Sequence, residues 1–167
     1  GEGEIFEYDG NSWKGIEIPN LSVVRSLAID TNGTIYVGAV SEFGYLKPDI
    51  TGQLQYISLL PLVPKNKLQF PDVWSVNIID DAVFFHSANR LFQYKNEKIS
   101  VWELQNSYHR AFNINKKLLL NQRDIGLCEF SNETIKLLPR GDFFKDMVIS
   151  SITTFEDNKL LIGSRNN

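Results

Sequence analysis

The sequence is poor in the residues that reactive and metal-binding sites use most. Its 167 residues include one cysteine, Cys128, and two histidines, His86 and His109. A single cysteine cannot form an internal disulfide, and the apolar setting of Cys128 predicts a small core residue rather than a reactive thiol. Neither histidine lies at a metal-type spacing from a cysteine, an aspartate or the other histidine. The sequence therefore predicts no metal and no cofactor, and His86, at the end of a strand, is predicted to be a hydrogen-bonded structural histidine.

The sequence also lacks a strong charge bias and a long apolar run. It contains 17 Lys and Arg against 20 Asp and Glu, which gives a net charge of −3, and the two signs are interspersed. Without a basic stripe, nucleic acid is not an expected partner of this segment. No apolar run approaches the roughly 18 residues of a membrane span, so membrane contact is not expected either. Hydrophobic residues make up 43% of the chain, which suffices for a packed core.

Four stretches of the sequence resemble one another. Each is an apolar strand, a polar turn and a second apolar strand. They are Val24–Gly38, Val73–His86, Tyr108–Asn121 and Ile149–Gly163, and their first residues lie 49, 35 and 41 positions apart. A spacing of roughly 40 residues built from short strands is typical of propeller blades with four strands each. The predicted fold class is therefore an all-β propeller of four-stranded antiparallel blades.

The strand pattern divides the chain into three blades flanked by two half-blades. The predicted units are an outer half-blade at 1–19, blades at 20–64, 65–105 and 106–141, and an inner half-blade at 142–167. Two arrangements remain open. The half-blades can combine, within one molecule or across a dimer, with Lys159–Gly163 antiparallel beside Glu4–Asp9, and close a small ring. Alternatively, the chain is an arc of a larger propeller, for example one of about seven blades.

Alternation along the strands predicts which side chains fill the core between blades. The predicted aliphatic and inner-strand core residues are Leu27, Ile29, Val37, Val76, Ile78, Phe85, Phe112, Ile114, Leu120 and Ile152. Four further aromatic residues, Phe43, Trp74, Phe92 and Phe130, are expected to pack between adjacent sheets.

One blade carries a family resemblance. Asp30, Gly33, Tyr36, Gly38, Gly44 and Leu46 match a pattern of strand, Asp-x-x-Gly turn, aromatic strand ending in glycine, and a further strand. Over Glu4–Leu60 the sequence resembles the two-component regulator-propeller repeats of sensor proteins in the Bacteroidetes. The resemblance weakens further along, where His86 and Asn121 stand in place of the strand-ending glycine.

The resemblance implies a periplasmic sensor region of an inner-membrane signalling protein. In such proteins a three-tyrosine β-sandwich, a membrane span and an output module follow, and the output module is a histidine kinase or a helix-turn-helix regulator. The usual stimuli of the family are polysaccharide breakdown products, and the parent protein is expected to be a homodimer. The chain starts at Gly1 without a methionine and stops at Asn167 after a strand, so we interpret it as a piece of a larger protein.

Two sets of loop residues are candidates for binding an oligosaccharide or another small ligand. Arg25, Trp74 and His109 occupy equivalent positions where inner strands begin, and Glu42, Arg90, Arg123 and Asp124 follow second strands. Flat aromatic faces and forked guanidinium donors suit a sugar or an anion. The alternative is that these are ordinary solvated loop residues, or that Arg123 and Asp124 pair with each other.

Three functions remain open at this point. The first is a ligand-sensing propeller segment with no catalysis of its own, although the parent protein can carry histidine kinase activity. The second is a protein-interaction scaffold without a small ligand. The third is a propeller hydrolase or lyase. An exposed apolar face favours the scaffold, and a polar pocket with perturbed carboxylates favours the enzyme.

Overall fold

The computed structural model describes residues 3–105, 107–156 and 159–166, without the side chain of His109. It consists of five antiparallel sheets. The first is a two-stranded sheet of β1 (Glu4–Tyr8) and β2 (Trp13–Glu17). A four-stranded sheet follows, with β3 (Val24–Ile29), β4 (Ile35–Ala39), β5 (Glu42–Pro48) and β6 (Leu54–Ser58). We refer to each four-stranded sheet as a blade and to these four strands as the first blade.

The remaining three sheets continue in chain order. The second blade has β7 (Val73–Ile79), β8 (Ala82–Ser87), β9 (Arg90–Lys95) and β10 (Lys98–Glu103), and the third has β11 (Ser107–Ile114), β12 (Lys117–Gln122), β13 (Gly126–Ser131) and β14 (Thr134–Leu137). A two-stranded sheet of β15 (Met147–Phe155) and β16 (Lys159–Asn166) ends the chain. Short 3₁₀ turns lie at Pro19–Leu21, Leu60–Leu62, Lys65–Lys67 and Gly141–Phe144. None of these helical turns of the described chain could cross a membrane.

The blades stand side by side with their first strands along a common axis. β3 contacts β7, β7 contacts β11 and β11 contacts β15, while each blade runs outward in chain order. This arrangement is that of a propeller, and it confirms the predicted fold class. Two-residue turns close several hairpins, as at Asn96–Glu97 and Asn132–Glu133, where both residues have positive φ. Asparagine tolerates this backbone conformation, which matches the twist of the flanking strands.

The sheets do not close into a ring. Within the described residues, β1 pairs only with β2 and β15 only with β16. The prediction that the two end hairpins pair within one molecule is therefore wrong, and the chain forms an open arc.

Aromatic and aliphatic side chains fill the spaces between the blades. Phe43, Phe85 and Phe92 are fully buried between the first two blades, with the ring centroid of Phe43 lying 4.5 Å from that of Phe85 and 4.8 Å from that of Phe92. Between the second and third blades, Phe84 and Phe130 meet edge-on at 5.6 Å. Cys128 is buried, and its burial raises the pKa of the thiol, in agreement with a core cysteine.

The core prediction is confirmed for several residues that lie between neighbouring sheets. Val37, Phe85 and Leu120 are fully buried, whereas Leu27 is 53% exposed and Ile29 is 65% exposed. These last two predictions are wrong for this chain. Leu27 shares a face with Val37, to which it is paired, but the cluster formed with the β1–β2 sheet includes Val37 and Val24 and not Leu27. The other predicted aliphatic positions and Trp74 are half-buried; they are Val76, Ile78, Phe112, Ile114 and Ile152.

Candidate functional site

Each inner strand is bulged close to its first residue. The pairing register shifts between Val24 and Ser26 in β3, and between Val73 and Ser75 in β7. Equivalent shifts occur in β11 and β15. The extra residues of the first two bulges are Arg25 and Trp74, which the sequence analysis had placed at equivalent repeat positions. A bulge turns the side chain of its extra residue away from the regular alternation of the strand.

The bulges lie at the same end of the arc as the turns between second and third strands. Val24 pairs with Ala39 and Val73 pairs with Ser87, so the start of each inner strand lies beside the turn that follows its second strand. We call this end the bulge face; it comprises the four bulges and the β4–β5, β8–β9 and β12–β13 turns. All seven candidate residues belong to segments at this end.

Arg25 and Trp74 come together across the boundary between the first and second blades. The Cζ atom of Arg25 lies 4.7 Å from the centroid of the Trp74 ring, within the range of a cation–π contact. The Nε–H group of Arg25 donates to Oδ2 of Asp72 at 2.7 Å. Asp72 was not predicted, because it lies in an irregular proline-rich link whose path the strand pattern does not specify. The three side chains form the candidate site.

Glu42 lies inside the protein rather than at the surface. It is 4% exposed, and its Oε1 atom accepts hydrogen bonds from the Phe43 amide, the Tyr56 hydroxyl and the Ser58 hydroxyl at 2.8, 3.0 and 2.8 Å. Burial raises the pKa of the Glu42 carboxyl, although these donors oppose the shift. The carboxylate thus connects β5 to β6, and the structure does not bring it to the Arg25–Trp74 pair.

Arg90 is also engaged with the protein's own backbone. Its Nη1 group donates to the carbonyl of Lys67 at 2.8 Å and to the carbonyl of Gln69. These carbonyls belong to the link that connects the first blade to the second. Arg90 is therefore bonded to the link that also carries Asp72.

The third blade repeats the pairing of a guanidinium group with an aromatic ring. The Cζ atom of Arg123 lies 5.2 Å from the ring centroid of Tyr108, which is buried. Asp124 is exposed in the same turn, and its amide donates to the Lys145 carbonyl at 3.1 Å. The side chain of His109 lies outside the described residues. Arg123 and Asp124 thus contact different neighbours, Tyr108 and Lys145.

Polar side chains join successive blades beneath the bulge face. His86 is fully buried, and its Nε2 atom lies 2.9 Å from the hydroxyl of Ser107 in the next blade, which confirms a structural histidine. In the third blade Asn121 occupies the equivalent position, and its Oδ1 atom accepts from the amide of Ile149 at 3.3 Å. In the first blade this position is Gly38. Where the second and third blades have His86 and Asn121 in place of this glycine, the side chain therefore forms a hydrogen bond to the following sheet.

Comparison with known proteins extends the structural result. No family model matches the chain, and no curated protein matches it significantly. Among solved structures, the extracellular domain of a hybrid two-component system of B. thetaiotaomicron matches with a TM-score of 0.66 and 17% identity, over 98% of this chain and 24% of that one. Virginiamycin B lyase from Staphylococcus aureus matches with a TM-score of 0.65 and 13% identity, over 96% of this chain and 56% of that one.

These similarities show the fold and extend to part of each larger protein. The chain spans about half the length of the lyase and about a quarter of the extracellular domain. At such identities the shared property is the β-propeller architecture, which hosts many unrelated functions. In the described part of the chain, no three His, Cys, Asp or Glu side chains are grouped as metal ligands.

Proposed function

We propose that this propeller segment is the ligand-sensing part of an extracytoplasmic sensor in a two-component or related signal-transduction protein. The observation that carries the proposal is the Arg25–Trp74–Asp72 group on the bulge face, at the boundary between two blades. The regulator-propeller resemblance of Glu4–Leu60 and the likeness to a two-component extracellular domain over 98% of the chain support it.

The candidate site has the chemistry that carbohydrate breakdown products require. Indole rings stack on the C–H faces of sugars, and a ligand would reach the Trp74 ring beside Arg25, whose guanidinium lies over it. Arg25 donates through Nε to Asp72, which leaves the Nη groups of its planar fork for hydroxyl or carboxylate oxygens of a ligand. Because Asp72 holds the guanidinium in place, a ligand does not have to order it. An acidic or neutral oligosaccharide is the ligand class that we assign.

The signalling step follows from the location of the site. Arg25 belongs to the first blade, and both Asp72 and Trp74 belong to the second blade or the link before it. A ligand that contacts all three favours one relative position of the two blades, and thereby shifts the population of that arrangement. In a homodimeric periplasmic parent protein this shift would be passed on to the output module, while the segment itself performs no catalysis.

A binding assay with a matched control tests this function. We would titrate the chain with a panel of neutral and uronic-acid oligosaccharides, using calorimetry on the wild type, Trp74→Ala and Trp13→Ala. Trp13 is an exposed tryptophan on the β1–β2 sheet, so it controls for nonspecific stacking. We expect Trp74→Ala to weaken the best ligand about tenfold and Trp13→Ala to leave its affinity unchanged. Equal effects, or no binding by any member of the panel, would overturn the sensor proposal in favour of an interaction scaffold.

Arg25→Lys provides a second, milder variant at the same site. Lysine keeps the charge but loses the planar fork and its stacking on the indole ring. We expect this variant to weaken an acidic oligosaccharide more than a neutral one of the same size. Identical losses for both ligands would mean that the guanidinium does not contact the carboxylate.

An enzyme is the second candidate, favoured by the likeness to virginiamycin B lyase. Incubation of the chain with virginiamycin B, followed by mass spectrometry of the antibiotic, distinguishes the two. We expect the antibiotic to remain intact. Reproducible turnover that is lost when a single residue of the bulge face is replaced would replace the sensor function with a catalytic one.

A further inference from the structure

A separate cleft opens at the opposite end of the arc, between the first and second blades. We call this end the hairpin face, because the β3–β4, β5–β6, β7–β8 and β9–β10 turns lie there. The cleft has a volume of about 310 Å³. Its characteristic lining residues are Asp30, Tyr36, Asp80, Asp81, Tyr94 and Glu97, and we call it the tyrosine cleft.

Tyrosines replace phenylalanines where the interblade core reaches this end. The ring centroids of Tyr36 and Tyr94 lie 6.4 Å apart, and that of Tyr45 lies 6.5 Å from Tyr94 with nearly parallel planes. Tyr36 is only 9% exposed, yet it forms part of the cleft wall. Among the described residues, the hydroxyls of Tyr45 and Tyr94 form no hydrogen bond. Tyr36 and Tyr94 therefore line the cleft, and Tyr45 packs against both of them from outside its lining.

Carboxylates dominate the charge of the cleft. Four acidic residues line it against one lysine, Lys95. Asp81 pairs with Lys95 at 2.8 Å and Asp80 pairs with Lys116 at 2.6 Å, but both pairs are exposed and correspondingly weak. Glu97 forms no ion pair in the described part of the chain. A cation that enters the cleft thus meets at least one carboxylate that is not neutralised.

The tyrosine hydroxyls lie close to these charges. Burial and, after it, the negative charge of Asp30 raise the pKa of Tyr36. Burial, then Tyr45 and Glu97, raise the pKa of Tyr94. Both shifts have the sign expected when a carboxylate stands near a phenol, because it disfavours the phenolate. The lining of the cleft itself brings these rings and carboxylates together.

The equivalent cleft between the second and third blades has different chemistry. It has a volume of about 460 Å³, and Phe84 and Phe130 stand there in place of tyrosines. Its charged lining residues are Lys95, Lys116 and Glu133, so lysines outnumber carboxylates. Of these two clefts between described blades, the first combines tyrosines with an acidic surround and the second does not. The composition of the tyrosine cleft is therefore a property of this sequence rather than of the fold.

We propose that the tyrosine cleft binds an organic cation, a compact ammonium or quaternary ammonium group. The faces of electron-rich rings attract such cations, and nearby carboxylates add to the attraction. The volume falls within the range of small-molecule sites. This site is on the opposite end from the Arg25–Trp74–Asp72 group, so the proposal does not depend on the sensor function.

Choline and its neutral isostere 3,3-dimethylbutan-1-ol form the probe pair. Both have the same shape, and only choline carries a charge. We would record amide chemical shifts of the full chain during titration with each. We expect choline to shift residues of the hairpin face around Asp30, Tyr94 and Glu97, and the alcohol to leave them unchanged. Equal shifts and equal affinities for both probes would overturn the proposal, because the cleft would then recognise shape without charge.

Two glutamates in matching turns provide variant and control. Glu97 and Glu133 each follow an asparagine in a two-residue turn, with φ values of 58° and 59°. Glu97→Gln removes a charge from the tyrosine cleft, and Glu133→Gln does the same in the neighbouring cleft. Both side chains are exposed, so both variants should fold. We expect Glu97→Gln to weaken choline about threefold and Glu133→Gln to have no effect. Equal effects, or stronger loss from Glu133→Gln, would overturn the proposal.

Discussion

The first blade has two faces that share one alternation pattern and differ in what covers them. On the face toward the second blade, Phe43 is fully buried and Tyr36 nearly so. On the opposite face, Val37 and Leu46 are buried, but Leu27 is largely exposed. The strands alternate regularly on both faces. Burial therefore depends on the neighbouring sheet, and apolar character alone does not determine it.

The exposed part of the second face lies along the inner strand β3, at Leu27 and Ile29. Ile16 and Ile18, from β2 and the residue after it, pack with Val37, Ala39 and Leu46 in one cluster. Of β3, this cluster includes Val24, whereas Leu27 and Ile29 are largely exposed. A propeller blade is stabilised from both sides by flat sheet contacts, so one uncovered inner half leaves a surface that another sheet would fill.

The largest difference between the covered and uncovered regions is expected at a buried aromatic. Phe85→Ala should lower the free energy of unfolding by about 3–5 kcal/mol, because Phe85 is fully buried between blades and its removal leaves a cavity. Urea denaturation followed by fluorescence measures this loss. Phe6→Ala is the matched control: Phe6 is 52% exposed on β1, and we expect a change below about 1 kcal/mol. Similar losses for the two variants would contradict the difference between the regions.

Much of the fold could be predicted from the sequence because local signals carry it. Alternating strands and Asp or Asn turns specify four-stranded hairpin sheets, and side chains such as those of Phe85 and Leu120 were correctly placed in the core. Leu27 and Ile29 were not, since their burial depends on strands outside their own blade. The prediction of ring closure within one molecule failed for the same reason. Closure depends on the pairing of the edge strands of the two end hairpins, and no local sequence pattern specifies that pairing.

A second prediction concerns how closely the first and second blades approach each other at Gly38. A Cβ atom at Gly38 would lie 2.5 Å from Oγ of Ser26 and 2.8 Å from the carbonyl oxygen of Val73. Gly38→Ala should therefore separate β3 from β7 and cost about 1–3 kcal/mol. Gly15→Ala is the control in an outer strand, where a Cβ would be in ordinary contact with Glu4 at 3.6 Å. Unchanged stability of Gly38→Ala would show that the two blades can move apart without loss.

The candidate site was predictable only in part. Arg25 and Trp74 were found because repeats align the starts of the inner strands, and the bulges then bring the two residues together. Asp72 escaped because it lies in a link without periodicity. Glu42 was assigned to the surface by its position after a strand, but Tyr56 and Ser58 on the next strand provide hydrogen bonds that draw it inward. Such partners belong to a neighbouring strand, so sequence spacing cannot reveal them.

The smallest effect is expected on the uncovered inner surface. Leu27→Ala should change the free energy of unfolding by less than about 0.5 kcal/mol, because more than half of the side chain already contacts water. The same substitution at the fully buried Leu120 should cost about 2–5 kcal/mol, which makes the pair a direct comparison of covered and uncovered positions. A loss above about 2 kcal/mol for Leu27→Ala would mean that another sheet covers this face in solution. Because the described strands of one molecule leave the face open, that cover would come from a second copy, and the unfolding midpoint would then rise with protein concentration.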